Sequence, residues 1–175
     1  MARENQSTVS DQQQPQERTD APDAPARKPK RQRVPKHAKR HEARALALQV
    51  LYESDLTEHG WEAILSRAES DDLLTPELAD YARRLVTGVM TNRISIDATI
   101  RKAAPAFPIK QLSAIDRNLL RLAIYELTYE PDVPTRVAIN EAVELAKRYG
   151  GDNSSRFING VTGTVAEQVR PTGGK

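Results

Sequence analysis

Apolar residues fall into helical registers along most of the chain. Ala43, Leu46, Ala47, Val50 and Leu51 sit at i, i+3, i+4, i+7 and i+8, the spacing that places side chains on one face of an α-helix. Trp61, Ile64, Leu65 and Ala68 repeat that pattern over a shorter stretch. Thr75-Pro76-Glu77 reads as a helix start: Thr as N-cap, Pro where its missing N–H costs nothing, and an acid near the positive end of the helix dipole. Behind it lies the face Leu78, Tyr81, Leu85 and Val89, with Val86 beside it, and this helix is expected to run on through Ile96 and Ile100 until Pro105 stops it.

The segment AFPIKQL reads as a short helical or turn connector. Ser113 and Asp116 then form a capping-box-like start to IDRNLLRLAIYEL, which is apolar on most faces and so belongs at the centre of the fold. Pro131 and Pro134 end it. The next helix covers residues 135 to 149, with Lys147 and Arg148 at its negative end and Gly150-Gly151 as the stop. A last helix opens near Asp152-Asn153-Ser154 and presents Phe157, Ile158, Val161, Val165 and Val169. No internal repeat and no alternating strand pattern is present. The expected fold is all-α, six or seven short helices joined by brief loops.

Residues 1–37 break this pattern. Five of the chain's 11 prolines lie before residue 37, among Gln, Asp and Arg, with almost nothing to bury. Such a segment cannot offset its ordering entropy and is expected to be disordered, leaving residues 38–175 as the folded domain. Charge is split in the same way. Arg27 to Arg44 holds nine Lys or Arg and one acid, Glu42, whereas residues 45–175 hold 15 Lys or Arg against 18 Asp or Glu. A basic block feeding straight into a helix fits a nucleic-acid-binding arm, and fits a solubilising tail equally well on charge alone.

Composition narrows the chemistry. The chain has no cysteine, which excludes disulfides and thiolate metal sites. No apolar run is long enough to span a bilayer and no signal-peptide pattern opens the sequence, so a cytoplasmic protein without membrane contact is expected. There is no phosphate-binding glycine loop, no zinc-protease helix and no nucleophile elbow. His37, His41 and His59 have no second ligand at metal spacing. Gly150-Gly151-Asp152-Asn153 is explained as one helix stop followed by one helix start. Asp116 and Glu126 lie ten residues apart on one helix, about 15 Å along its axis, too far to share a substrate atom. No catalytic function, metal or cofactor is expected.

Five ordered segments carry a resemblance: RHEARALALQVLY (40 to 52), GVMTN (88 to 92), LLRLAIYEL (119 to 127), DVPTRVAINEAVELAK (132 to 147) and FINGV (157 to 161). Together they resemble the transcription antitermination factor NusB family over residues 38 to 170. The resemblance implies an all-helical fold of about seven helices in two packed sub-bundles, with no enzymatic activity. It implies binding to single-stranded boxA RNA together with the ribosomal protein NusE. It further implies entry into an RNA polymerase antitermination complex, notably on rRNA operons. Relatives differ in pairing as homodimers, so a monomer and a homodimer are both expected forms.

The family's arginine-rich motif maps onto Lys39, Arg40, His41 and Arg44, with His41-Glu42 standing where relatives often carry arginines. Guanidinium groups fork onto phosphate and stack on unpaired bases. Arg44→Ala is therefore expected to weaken RNA binding and leave the bundle folded. Tyr52 is implied as a base-stacking residue, and reads equally as a half-buried core tyrosine. Asn153 and Arg156 are implied to lie near RNA at the start of the last helix, where Asn153 is also an ordinary N-cap. Asp116 matches an acidic position of the family's partner-binding region, and also fits the capping box. Asn140-Glu141 reads as internal hydrogen bonding that fixes helix packing. Two other readings compete. One is a detached recognition domain related to rRNA 5-methylcytosine methyltransferases, disfavoured by the missing cysteine and cofactor-binding extension. The other is a helical adaptor that binds no RNA.

Overall fold

The computed structural model describes residues 36–57, 59–70 and 75–170, with side chains from residue 40 onward. Among them lie seven helices and no strand: α1 (Lys36–Leu56), α2 (Trp61–Glu69), α3 (Pro76–Thr91), α4 (Arg93–Ala103), α5 (Ala114–Tyr129), α6 (Thr135–Tyr149) and α7 (Ser154–Val169). The tail expected over residues 1–37 lies outside the described residues except for its last two positions, which belong to α1.

Two sub-bundles share α5. On one side α1 packs on α2 and α3; on the other α4, α6 and α7 gather, and α5 touches α1, α3, α4, α6 and α7. Its central place follows from its sequence, since Asn118 through Leu127 are buried without a break and a helix buried all round must be apolar on nearly every face. Three polar residues, Asn118, Arg121 and Glu126, are carried inside with it. Buried charge is tolerated only when paired and hydrogen-bonded, and each of the three is.

Gly88 shows why one small residue matters in this packing. A Cβ on Gly88 would lie 2.0 Å from the Tyr125 ring, so only glycine lets α3 pass over that tyrosine of α5. Overfilling a packed contact of this kind destabilises.

The single long helix expected from Thr75 to Pro105 is corrected. It divides at Asn92, whose φ of −101° and ψ of 13° leave the α region. The Asn92 side chain donates to the Gly88 carbonyl at 2.8 Å, while the Asn92 carbonyl accepts from the Ile96 N–H at 2.9 Å. Asparagine competes with the helical backbone in this way, and the residue closes α3 and opens α4. Ile96 and Ile100 stay in the core, on α4.

Other expected boundaries stand. Ser113 Oγ accepts from the Asp116 N–H at 3.0 Å, capping α5. Gly150 ends α6, and a Cβ there would meet Ser154 at 2.4 Å. The Gly151 N–H donates to Ser154 Oγ at 2.9 Å, so the glycine pair is a helix stop and start, as its sequence suggests. Residues 106–112 form turns rather than a helix. Beyond α7, the Arg170 guanidinium donates to the carbonyls of Val133 at 2.6 Å, Glu130 at 2.8 Å and Glu126 at 3.1 Å. A cation on the last carbonyls of α5 satisfies both their hydrogen bonding and the helix dipole.

Candidate nucleic-acid interface

α1 is fixed in rotation by Arg44. Its Nε and Nη2 donate to the Glu126 carboxylate of α5 at 3.0 and 2.8 Å. Nη2 also reaches Tyr81 Oη of α3 at 3.2 Å, and Nη1 lies 3.3 Å from Glu141 of α6. The Tyr81 hydroxyl donates to the same Glu126 carboxylate. Burial works against the Arg44 charge, but the hydrogen bond and charge of Glu126, with Tyr81 and Glu141, outweigh it and hold the guanidinium more firmly protonated than usual. Burial and the Glu126 charge push the Tyr81 phenol well above its ordinary range.

The surface role expected of Arg44 is thereby corrected. Its side chain is 3% exposed and its fork is spent on α3, α5 and α6. Glu126 and Glu141, one on each of two largely apolar helices, were the signal that an interior cation was needed. Glu141 has the structural role read for it, bonding His41 Nδ1 at 2.9 Å as well as Arg44. Asn140, its neighbour, is exposed instead.

With Arg44 inward, the rest of the first α1 turns is placed. Arg40 is exposed, its guanidinium 5.3 Å from the Tyr81 ring centroid and without a carboxylate partner among the described residues. His41 is partly exposed at the side facing α6. Lys39 belongs to α1, but its side chain lies outside the described residues. Further along the helix Tyr52 is 37% exposed. It lines a cleft of about 380 Å³ with Ala45, Leu48, Gln49, Ile115 and Tyr149. A second cleft of about 490 Å³ continues toward His41 and Glu42 and includes Arg148. Gln49, Arg148 and Tyr149 were not singled out from the sequence. An aromatic closing α6 after a basic residue was the only hint.

The remaining candidates lie on the other side of the first turn of α5. Asp116, Asn153, Phe107 and Phe157 line a cleft of about 510 Å³ between that turn and the α6–α7 junction. Phe107 and Phe157 meet edge to face at 5.1 Å, and behind them Arg156 lines a further cleft with Gly160 and Thr164. Asn153 holds the N-cap position of α7, its carbonyl accepting from the Phe157 N–H at 3.0 Å, but it is exposed and its side chain makes no cap bond; Ser154 bonds the turn instead. Asp116 Oδ1 is buried and has no hydrogen-bond partner among the described residues. The sequence candidates thus form two groups. Arg40, His41 and Tyr52 follow α1, and Asp116, Asn153 and Arg156 surround the start of α7, with Ile115 and Asp116 belonging to adjoining clefts.

No group of three or more candidate metal ligands occurs among the described residues, and no helix among them is long and apolar enough to cross a membrane.

The fold and its surfaces define an all-helical binding protein, two sub-bundles locked by buried charge and edged by aromatic clefts. Residues 41–167 match the model of the NusB family. The transcription antitermination protein NusB of Dehalococcoides mccartyi strain 195 is 48% identical over 133 residues, covering 76% of this chain and 93% of its own. That of Roseiflexus castenholzii is 44% identical, covering 75% and 94%. Among solved structures, T. maritima NusB superposes with a TM-score of 0.71 at 35% identity, covering 75% of this chain and 93% of its own. A crystal structure of antitermination factors NusB and NusE in complex with dsRNA matches with a TM-score of 0.67 at 28% identity, covering 75% and 98%. The chain belongs to the NusB family.

Proposed function

We propose that this protein is a transcription antitermination factor that binds boxA RNA together with NusE. It joins the RNA polymerase antitermination complex, notably on rRNA operons, acts in the cytoplasm, and carries out no catalysis of its own. The observation that carries this reading is the pairing of two unlike surfaces across one helical turn. The α1–α6 seam, lined by His41, Tyr52 and Arg148, suits RNA: a cation for phosphate, an aromatic ring for a base. The cleft at Asp116, Phe107 and Phe157 suits a protein, with two apolar rings beside an acidic residue. A family neighbour solved with both NusE and RNA supports the same pairing of ligands.

In this reading Arg44 holds α1 and does not touch RNA. Lys39, Arg40 and the basic residues from 27 to 38 supply phosphate contacts that position without specifying sequence. Asn153 and Arg156 add a neutral amide and a cation beside the partner cleft, and Asp116 engages NusE.

Fluorescence anisotropy of a boxA RNA oligonucleotide with the full chain, with and without NusE, tests this. Binding is expected to strengthen with NusE and to fall with salt at a log–log slope of roughly −3 to −4, as for four to six neutralised phosphates on a single strand. Equal affinity for a scrambled oligonucleotide, or a flat salt response, overturns it.

A further inference from the structure

Arg40 and His41 are neighbours on α1, yet they serve different sides of it. His41 Nδ1 meets Glu141 of α6 at 2.9 Å. The Arg40 guanidinium instead lies over the Tyr81 ring of α3, 5.3 Å from its centroid. Arg84, one turn further along α3 and 54% exposed, covers the same ring at 5.1 Å. Its Nε also meets the carboxylate of Glu130, just beyond α5, at 3.0 Å. The Tyr125 hydroxyl donates to that carboxylate at 3.4 Å, and the Tyr125 ring stacks on Tyr129 at 5.5 Å. Tyr129 closes α5 and is 40% exposed. A line of cationic and aromatic side chains therefore runs from the start of α1 across α3 to the end of α5, on the α3 side of α1 and not the α6 side.

We infer that this face is a second RNA contact, which takes nucleotides flanking boxA: Arg40 and Arg84 bind phosphates and Tyr129 stacks one base. The inference rests on the RNA-binding reading above and carries it beyond the α1–α6 seam. A strand leaving the seam reaches Arg40 by crossing the first turns of α1, where the basic block from Arg27 to Arg44 enters the fold. Two guanidinium groups held over one ring are ordered in advance, so less freedom is lost when they fork onto phosphate. An exposed tyrosine face accepts any base, so this contact adds affinity without reading sequence. Charge on this face favours a polyanion over a peptide. Glu130 is engaged by Arg84, and Glu69 and Asp80 by Arg83 at 2.7 and 3.7 Å. Against Glu77, the other acid of α3, stand Arg40 and the two lysines that precede it in α1, Lys36 and Lys39.

Anisotropy titrations of the full chain with NusE compare boxA RNA alone with boxA extended by oligouridine on its 5′ side or on its 3′ side. One of the two extensions is expected to tighten binding about tenfold, as one stacked base does. It should also steepen the log–log salt slope by about 1.4, as two further phosphates on a single strand do. Tyr129→Ala is expected to remove most of the tenfold gain and leave the affinity for boxA alone unchanged. Arg84→Gln should remove about half of the added salt slope. 4-Thiouridine placed in the extension and crosslinked on the unaltered protein should mark α3 and the end of α5, a result independent of how any variant folds. Equal binding of all three RNAs overturns the second contact and leaves the RNA reading standing. A gain that survives Tyr129→Ala in full assigns the flank to the basic block ahead of α1 and overturns it too. Crosslinks confined to NusE give the flank to the partner, with the same result. Failure of the unaltered protein to prefer boxA over a scrambled oligonucleotide overturns the RNA reading, and this contact with it.

Discussion

Two charged clusters bracket α1, and they are built in opposite senses. Near its start a cation, Arg44, is enclosed by Glu126, Glu141 and Tyr81. Near its end an anion, Asp55, is enclosed by Arg117 at 3.0 Å, Arg121 at 3.1 Å and Arg93 at 3.4 Å, with the Asn118 amide at 3.0 Å. Arg121 in turn forks onto Asp97 of α4 at 2.8 and 3.0 Å. The first cluster ties α1 to α3, α5 and α6, and the second ties it to α4 and α5. They differ in redundancy. Arg44 and Glu126 are 3% and 2% exposed, with no second cation on the Glu126 carboxylate among the described residues. Asp55 has three arginines, one of which, Arg93, is 44% exposed. A buried pair without a substitute is costly to halve, while a shared charge near water is not. Both clusters hold the rotation of α1 that turns Arg40, Gln49 and Tyr52 outward.

The largest expected effect follows. Arg44→Ala removes the cation paired with the buried Glu126 carboxylate, leaving it only the Tyr81 hydroxyl among the described residues, and should cost about 3–5 kcal/mol of folding stability, measured by urea unfolding. Once corrected for the folded fraction, boxA affinity should be unchanged. A variant of full stability that has lost RNA affinity would reverse the roles of Arg44 and Arg40 and break the comparison.

Arg44 also marks the limit of what the sequence disclosed. The helices were legible because burial imposes the same 3.6-residue period on every apolar face, and α5 was legible as central because its apolar residues surround it. The turn chemistry at Ser113 and at Gly150-Gly151 was local and therefore readable. The division at Asn92 was not, because apolar periodicity runs through it and only one side-chain bond to Gly88 interrupts the ladder. The two clusters were hidden for another reason. They join residues as far apart as Arg44 and Glu126, and a sequence shows charges without showing which way they face. Arg40 and Arg44 look alike one turn apart, yet one is at the surface and the other in the core.

A smaller effect separates the clusters by pH. Burial alone would raise the Asp55 pKa, but the Arg121 charge and the hydrogen bonds from Arg117 and Asn118 hold it below its ordinary 3.8. A carboxylate depressed in the fold contributes stability that is present above its unfolded pKa and is lost as pH falls through 3.8 toward the folded value. Asp55→Asn should therefore cost about 2 kcal/mol near neutrality. The gap between wild type and variant should narrow as the pH of urea unfolding is lowered below about 5. A gap that stays constant down to strong acid would mean that Asp55 acts by packing and not by charge. The Arg44 guanidinium, more firmly protonated than usual, gives its own cluster no such acid titration of the central ion.

The smallest effect tests redundancy itself. Arg93 contacts Asp55 at 3.4 Å from an exposed position, while Arg117 and Arg121 stay closer to the same carboxylate. Arg93→Ala removes one cation of three, with water free to replace it, so the loss should be at most about 1 kcal/mol and should shrink further in high salt. Thermal unfolding in low and high salt reads this directly. A loss as large as that of Arg44→Ala would show that the Asp55 cluster shares no charge among its arginines. The contrast between an irreplaceable cation at one end of α1 and a replaceable one at the other would then be lost.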